Sequence, residues 1–145
     1  MNIKKIGLAS DHAGFPMKEH VKALLQKWLP EVELVDFGTY SEESCDYPDF
    51  AHKLGTAIDK GELLWGVACC GSANGISMAL NKHPKVRAAI CWNREIAELA
   101  RLHNDANVLS LPGRFLSESE GEEITQTFFT TEFEGGRHQR RVDKI

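Results

Sequence analysis

The sequence predicts an α/β fold in which helices cover both faces of a five-stranded parallel sheet. Short apolar runs of strand length alternate with stretches of helical periodicity along the chain. Strands that alternate with helices form βαβ units, whose sheets are parallel and buried on both faces. The run Val86–Ile90 fits such burial, Arg87 excepted, because it is nearly continuous in apolar residues. These observations indicate a Rossmann-like (flavodoxin-like) three-layer αβα sandwich.

Each element is predicted from its apolar pattern and from the residues at its ends. The predicted strands are Ile3–Ser10, Val32–Phe37, Leu63–Cys70, Val86–Cys91 and Asn107–Leu111. The predicted helices are Pro16–Leu29, Tyr47–Lys60, Ser72–Asn81, a helix that follows Asn93 and runs to His103, and a helix that follows Ser117. Pro16 suits a first helical turn, Gly61 ends the second helix, and Ser117 with Glu120 forms a capping box.

Length and composition favour one soluble domain over residues 1–145 and exclude several other classes. The net charge of −4 gives no reason to expect nucleic-acid binding, which needs a positive field. The longest uncharged apolar run, Leu63–Cys70, cannot span a bilayer, so no membrane partner is expected. The four cysteines include no C-x-x-C pair and are predicted to be reduced. With no secretory signal pattern, we expect a cytoplasmic protein.

A basic cluster near the end of the sequence contrasts with the acidic average. The cluster consists of Arg137, His138, Arg140, Arg141 and Lys144, against Asp143 alone. Arg137 and Arg141 are four residues apart, so on a helix both would project from one face and suit bidentate phosphate recognition. A solvated basic tail is the alternative. We therefore expect the segment 134–145 to contribute to a site for a small anion.

Polar residues follow the first and third predicted strands, at the sheet edge where ligands bind in such folds. Asp11 and His12 follow the first strand; Asp11 could instead simply cap the next helix. Cys70, Gly71 and Ser72 end the third strand, and Gly75 follows, so the turn could cradle an anion. A thiol placed there should have a lowered pKa and could act as base or nucleophile. The alternative is a small buried Cys70, as expected for Cys69 on the opposite face.

Further polar candidates are weaker when taken alone. His103 shares a helix face with Ile96 and Ala100 and is followed by Asn104, but a histidine there is commonly structural. Tyr47 and Arg114 follow the second and fifth strands. None of these residues identifies a reaction without the others.

Taken together, the motifs resemble the type B ribose-5-phosphate isomerases and the related galactose-6-phosphate isomerase subunits. The similar stretches are Ser10-Asp11-His12-Ala13-Gly14-Phe15, Asp46-Tyr47-Pro48, Cys70-Gly71-Ser72, Gly75-Ile76-Ser77, Asn81-Lys82, His103-Asn104-Asp105-Ala106-Asn107-Val108, Glu134-Gly135-Gly136-Arg137-His138 and Arg141-Val142. They occur in family order and cover almost the whole chain.

The resemblance implies an aldose–ketose isomerase without metal or cofactor. It would interconvert ribose 5-phosphate and ribulose 5-phosphate through a cis-enediolate, in the pentose phosphate pathway. It also implies sites shared between two subunits, hence a homodimer or a dimer of dimers.

The resemblance also implies a role for each catalytic residue. Cys70 would be the base, and His103, with Asp11 nearby, would open the sugar ring. The enediolate oxygen would be held by Ser72 and by the backbone N–H groups from Gly71 to Gly75, a stretch that includes Ala73 and Asn74. The implied substrate-binding residues are His12, Arg137 and Arg141 for phosphate and Tyr47, Asn104, His138 and Arg114 around the pocket.

Two positions bear on how closely the family pattern applies. One subgroup replaces the cysteine by a glutamate at the position of Ile76, which cannot accept a proton, so the cysteine is favoured here. Ala73 stands where many members have glycine, and its Cβ could narrow the cradle if the backbone there needs positive φ. Two alternatives stay open: an isomerase of a six-carbon sugar phosphate such as allose or galactose 6-phosphate, and a non-catalytic sugar-phosphate binding module.

Overall fold

The computed structural model describes residues 1–145 as an alternation of strands and helices. The strands are β1 (Lys5–Ser10), β2 (Glu33–Asp36), β3 (Trp65–Cys70), β4 (Ala88–Ile90) and β5 (Val108–Pro112). The helices are α1 (Phe15–Trp28), α2 (Tyr47–Asp59), α3 (Asn74–Leu80), α4 (Arg94–Leu102), α5 (Glu118–Thr130) and α6 (Arg137–Val142). No helix combines the length and the apolar character that crossing a membrane requires.

The five strands form one parallel sheet in the order β2-β1-β3-β5-β4. The predicted class, helices on both faces of a five-stranded parallel sheet, is therefore confirmed. The order follows that of flavodoxin, 2-1-3-4-5, up to the third strand and exchanges the last two. As a result β5 lies beside β3, and the chain after β5 reaches the same sheet edge as the ends of β1 and β3.

Two apolar clusters, one on each face of the sheet, hold the layers together. Helices α1, α4 and α5 pack on one face, where Val21, Leu25 and Phe128 are fully buried. Helices α2 and α3 pack together on the other face. Cys69 belongs to the first cluster and Cys70 to the second, which confirms that strand alternation sends them to opposite faces.

The predicted capping box is confirmed, and several elements are shorter than predicted, β4 and α3 among them. Asn93 accepts a hydrogen bond from the N–H of Ile96 at 2.9 Å. Ser117 and Glu120 form the reciprocal capping box. Strand β4 starts only at Ala88, because the side chain of Asn107 binds the N–H of Arg87 at 2.7 Å. Helix α3 starts at Asn74 because Ala73 has a left-handed backbone.

A fully buried lysine ties α1 to the end of β2. Nζ of Lys18 lies 2.7 Å from Oδ2 and 2.9 Å from Oδ1 of Asp36, and its side chain has no exposed surface. Lys22 and the N–H of Gly38 also donate to this carboxylate. Burial tends to raise the pKa of Asp36, but the donors, Lys18 first, outweigh it and leave the pKa below its usual value. The pair therefore fixes the start of the segment that follows β2.

Candidate active site

A cleft of about 470 Å³ opens at the carboxyl ends of β1, β3 and β5, a volume typical of small-molecule sites. It is lined by Asp11, His12, Ala13, Tyr47, Cys70, Gly71, Ser72, Gly75, Arg114 and Phe115. Eight of these residues were predicted from the sequence as site residues; Ala13 and Phe115 were not. Its location agrees with the rule that parallel sheets bind ligands beyond the carboxyl ends of their strands.

Cys70 forms part of the wall of this cleft and is 5% exposed. Burial raises the pKa of its thiol, and the nearby Asp11 carboxylate acts in the same direction. Three backbone N–H groups near the sulfur, those of Ile76, Ala73 and Ser72, act in the opposite direction because they stabilise the thiolate. The expectation of a lowered pKa is therefore wrong: desolvation outweighs the positive end of the short helix α3.

Asp11 and His12 are held by different backbone groups at the end of β1. Oδ1 of Asp11 accepts from the N–H of Gly14 at 2.9 Å, so Asp11 caps the turn before α1 and also lines the cleft. Nδ1 of His12 accepts from the N–H of Cys45 at 3.2 Å. With Nδ1 an acceptor, a neutral His12 carries its proton on Nε2 and can donate it to a ligand.

Two glycines allow larger side chains to approach the turn closely. A Cβ on Gly75 would lie 2.5 Å from the ring of Tyr47, so this ring packs directly on the helix backbone. A Cβ on Gly71 would lie 3.2 Å from the side chain of Arg114. The exposed Arg114 guanidinium therefore crosses the turn next to Cys70, where it can contact an anion.

Two predicted residues of the turn lie outside the cleft lining. Ala73 has φ of 67°, so the backbone there does adopt the left-handed conformation in which a Cβ is strained. Its side chain is buried away from the cleft, so a narrowing of the cradle by its Cβ is not observed. Asn74 is exposed at the start of α3. Neither side chain lines the cleft, although the N–H of Ala73 is near the Cys70 sulfur.

The other predicted residues form a second pocket of about 380 Å³. It is lined by His103, Asn104, Arg137, His138 and Arg141, and no residue is common to both pockets. The imidazole rings of His103 and His138 stack with their centroids 4.1 Å apart. Burial, and then the His103 ring, lower the pKa of His138. This pocket, with Glu134 beside it, also contains the side chains best placed to hold a metal ion.

The two pockets lie at opposite edges of the sheet within one chain. Cys70 ends β3, whereas His103 ends α4, which returns across the sheet to the start of β5. The carbonyl of Asn104 accepts hydrogen bonds from Arg87, just before β4, which places it at the amino edge. A six-residue strand is roughly 20 Å long. His103 and Asp11, expected to lie near each other, are therefore far apart within one chain.

Two residues in or beside the cleft were missed in the sequence. Cys45 was treated simply as a reduced thiol, yet its N–H binds His12, and a contact across 33 positions leaves no local signal. Phe115 lines the cleft although it is 74% exposed. The turn after β5, at Pro112-Gly113, could have indicated it, since this edge of the sheet was already predicted to bind ligands.

Comparisons with known proteins find one family that matches almost the whole chain. A family model described as Ribose/Galactose Isomerase matches residues 6–145. Ribose-5-phosphate isomerase B of Escherichia coli is 39% identical over 143 residues, which are 99% of this chain and 95% of that protein. The crystal structure of the Thermotoga maritima ribose 5-phosphate isomerase is 46% identical and superposes with a TM-score of 0.93, over 99% of this chain and 97% of that one.

A further structure has a bound ligand. Ribose-5-phosphate isomerase B from Mycoplasma genitalium with bound ribulose-5-phosphate is 39% identical to this chain. It superposes with a TM-score of 0.92 and covers 99% of this chain and 95% of that one.

Proposed function

The chain belongs to the ribose/galactose isomerase family, and we propose that it interconverts ribose 5-phosphate and ribulose 5-phosphate. The observation that carries this proposal is the position of Cys70. Its thiol is buried at the end of β3, lines a cleft of the right size for a small ligand, and faces backbone N–H groups at the start of α3. A base beside fixed donors is what proton transfer at a carbon next to a carbonyl requires.

In the proposed reaction, Cys70 as thiolate takes the proton from C2 of the open-chain aldose. The resulting cis-enediolate carries negative charge on oxygen, which the backbone N–H groups of the turn and the Ser72 hydroxyl stabilise. Return of the proton to C1, with proton exchange between the two oxygens, gives the ketose. The raised pKa makes the thiolate scarce at neutral pH, but each thiolate is a stronger base.

We propose that a second copy of the chain supplies the remaining groups, a proposal supported by the separation of the two pockets within one chain. His103 of the partner subunit would transfer the proton that opens the sugar ring, with Asp11 on the near side. Arg137 and Arg141 of the partner subunit would bind the phosphate together with His12 and its Nε2–H. A homodimer is the smallest assembly that completes the site, and a dimer of dimers would contain the same site.

We further propose that the enzyme works in the cytoplasm, in the pentose phosphate pathway. Reduced cysteines are consistent with such a compartment, since none of the four forms a disulfide. The chemistry assigned to Cys70 also needs a reduced thiol.

A coupled assay of the purified protein with a metal chelator present tests the activity. We expect turnover of ribose 5-phosphate and lower kcat/KM with allose or galactose 6-phosphate. Preference for a six-carbon substrate would replace the proposed substrate by the six-carbon alternative. Binding of these sugars without any turnover would identify a binding module and contradict an enzyme.

Hybrid subunits test whether the site is shared. Cys70→Ala and His103→Ala each inactivate a homodimer, because every site lacks one group. In a hybrid of the two, one shared site carries both substitutions and the other carries none. Random mixing should therefore restore about a quarter of the wild-type activity. No recovery after confirmed subunit exchange would show that each chain uses its own His103.

A further inference from the structure

We propose that His103, Glu134 and His138 form a binding site for a transition-metal ion of the Zn²⁺ type, and that the bound ion inhibits the enzyme. The three side chains offer two imidazole nitrogens and a carboxylate oxygen, all within 4.8 Å of one another. The proposal concerns an inhibitor and not a cofactor. Its inhibitory part rests on the proposed role of His103 in ring opening, whereas its binding part is independent of any reaction.

The backbone brings these three donors together. The N–H of Glu134 donates to the carbonyl of Leu102 at 3.1 Å, which fixes Glu134 beside the end of α4. Gly135 and Gly136 follow with φ of 70° and 55°, values that glycine adopts without strain, and they reverse the chain into α6. Helix α6 thereby places the ring of His138 on that of His103.

Both imidazole nitrogens lie close to the same carboxylate oxygen. Nε2 of His103 and Nε2 of His138 each lie 3.8 Å from the same atom, Oε2 of Glu134. The His138 side chain is only 9% exposed, and its Nε2 has no hydrogen-bond partner. A buried nitrogen without a partner is unfavourable, and a ligand that supplied one would be stabilised. The unpaired Nε2 of His138 therefore indicates a ligand that comes from outside the chain.

The chemistry of the donors selects the kind of ion. Two histidines and one glutamate are a zinc ligand set that leaves a fourth position open. Mg²⁺ and Ca²⁺ prefer oxygen ligands and should not bind. Arg137 and Arg141 line the same pocket and disfavour any cation held by charge alone, so the nitrogen ligands decide the selectivity.

The site closes around an ion only if the stacked rings of His103 and His138 tilt apart. Zinc–nitrogen bonds are about 2.0–2.1 Å long, so each ring must move and turn its nitrogen toward the ion. His103 is 37% exposed and Glu134 is 57% exposed, so both can move toward the more rigid His138. The bound ion would occupy the Nε2 lone pair of His103, which could then no longer accept or return a proton.

Isothermal titration of the metal-free protein with Zn²⁺ tests the binding. The full-length Cys70→Ser protein serves as the reference, because removal of the thiol excludes zinc binding there. We expect one ion per chain, weakened at least about tenfold by Glu134→Gln. His52→Ala is the matched control, since His52 and His83 form another histidine pair, 2.8 Å apart, and this change should leave the affinity unaltered. Mg²⁺ should give no heat of binding.

Two results would overturn the site: no binding to the reference protein, or binding that His52→Ala weakens and Glu134→Gln does not.

Inhibition is tested separately, by measuring isomerase activity with and without Zn²⁺ in proteins that retain Cys70. The rate of each protein with Zn²⁺ is compared with its own metal-free rate. Zn²⁺ should inhibit the wild type at concentrations at least about tenfold below those that inhibit Glu134→Gln. Equal inhibition of both would refute the inhibitory role even if the ion binds, and absence of any isomerase activity would refute the proposed function while leaving the titration valid.

Discussion

The backbone N–H of Cys45 donates a hydrogen bond to Nδ1 of His12 at 3.2 Å, and the Cys45 Sγ lies 3.9 Å from the same nitrogen. A residue in the segment between β2 and α2 thus selects the tautomer of a histidine at the end of β1. The proton of neutral His12 is placed on Nε2, the nitrogen left free for a ligand. The role proposed for His12 in phosphate binding depends on this arrangement.

Cys45→Pro removes the donor, since proline has no N–H, and Cys45→Ala keeps it. We expect KM for ribose 5-phosphate to rise roughly fivefold in Cys45→Pro, the effect of one hydrogen bond worth about 1 kcal/mol. Cys45→Ala should behave like the wild type. Nitrogen NMR of labelled histidine should show the Nε2–H tautomer of His12 in the alanine variant and a mixture in the proline variant. An unchanged tautomer in Cys45→Pro would contradict the positioning role.

The raised pKa of Cys70 determines the pH dependence of turnover. Since the thiolate is the proposed base, kcat/KM should increase with pH by about tenfold per unit below the thiol pKa. The increase should continue above neutral pH because the pKa lies above its ordinary value. Cys70→Ser should lose about 10²–10⁴ in kcat while still binding ribose 5-phosphate. Near-normal turnover of Cys70→Ser would exclude the thiol as the base.

Ala73→Gly should stabilise the protein. The left-handed backbone at Ala73 costs about 1–2 kcal/mol for a residue with a Cβ, and the greater freedom of glycine in the unfolded chain offsets about half of the gain. We expect the free energy of unfolding to rise by about 0.5–1 kcal/mol in urea titrations. Ala79→Gly within α3 is the control and should lower it by about 1 kcal/mol. Destabilisation by both changes would show that Ala73 is not strained.

The carboxylate of Asp36 should contribute to acid unfolding. Its pKa in the folded protein is below the usual value, so the stabilisation is complete above the ordinary carboxyl pKa of about 4 and is lost as pH falls through the lowered value. Asp36→Asn leaves the buried Lys18 without its main partner and should cost about 3 kcal/mol at neutral pH. The exposed Glu31→Gln should have almost no effect. Equal acid sensitivity of both variants and the wild type would rule out this contribution.

The sheet and its helices could be predicted because they depend on local patterns. These patterns act within a few residues, so they can be recognised in the sequence. They are the apolar runs, the Asn93 cap and the Ser117–Glu120 capping box. The exchange of β4 and β5 could not be predicted in the same way. Strand order depends on which faces pack together, and the apolar pattern of β4 fits an edge position as well as an internal one.

Cys70, His103 and the arginine pair were all named from the sequence, which therefore determined the chemical groups available to this protein. Tertiary structure alone decided their separation: a parallel sheet sends Cys70 to its carboxyl edge, and α4 carries His103 back to the other edge. It also reversed the expected direction of the Cys70 pKa, because burial outweighs the N–H groups of a short helix. Both outcomes depend on distance and on exclusion of water, and these arise only when segments remote in sequence pack together.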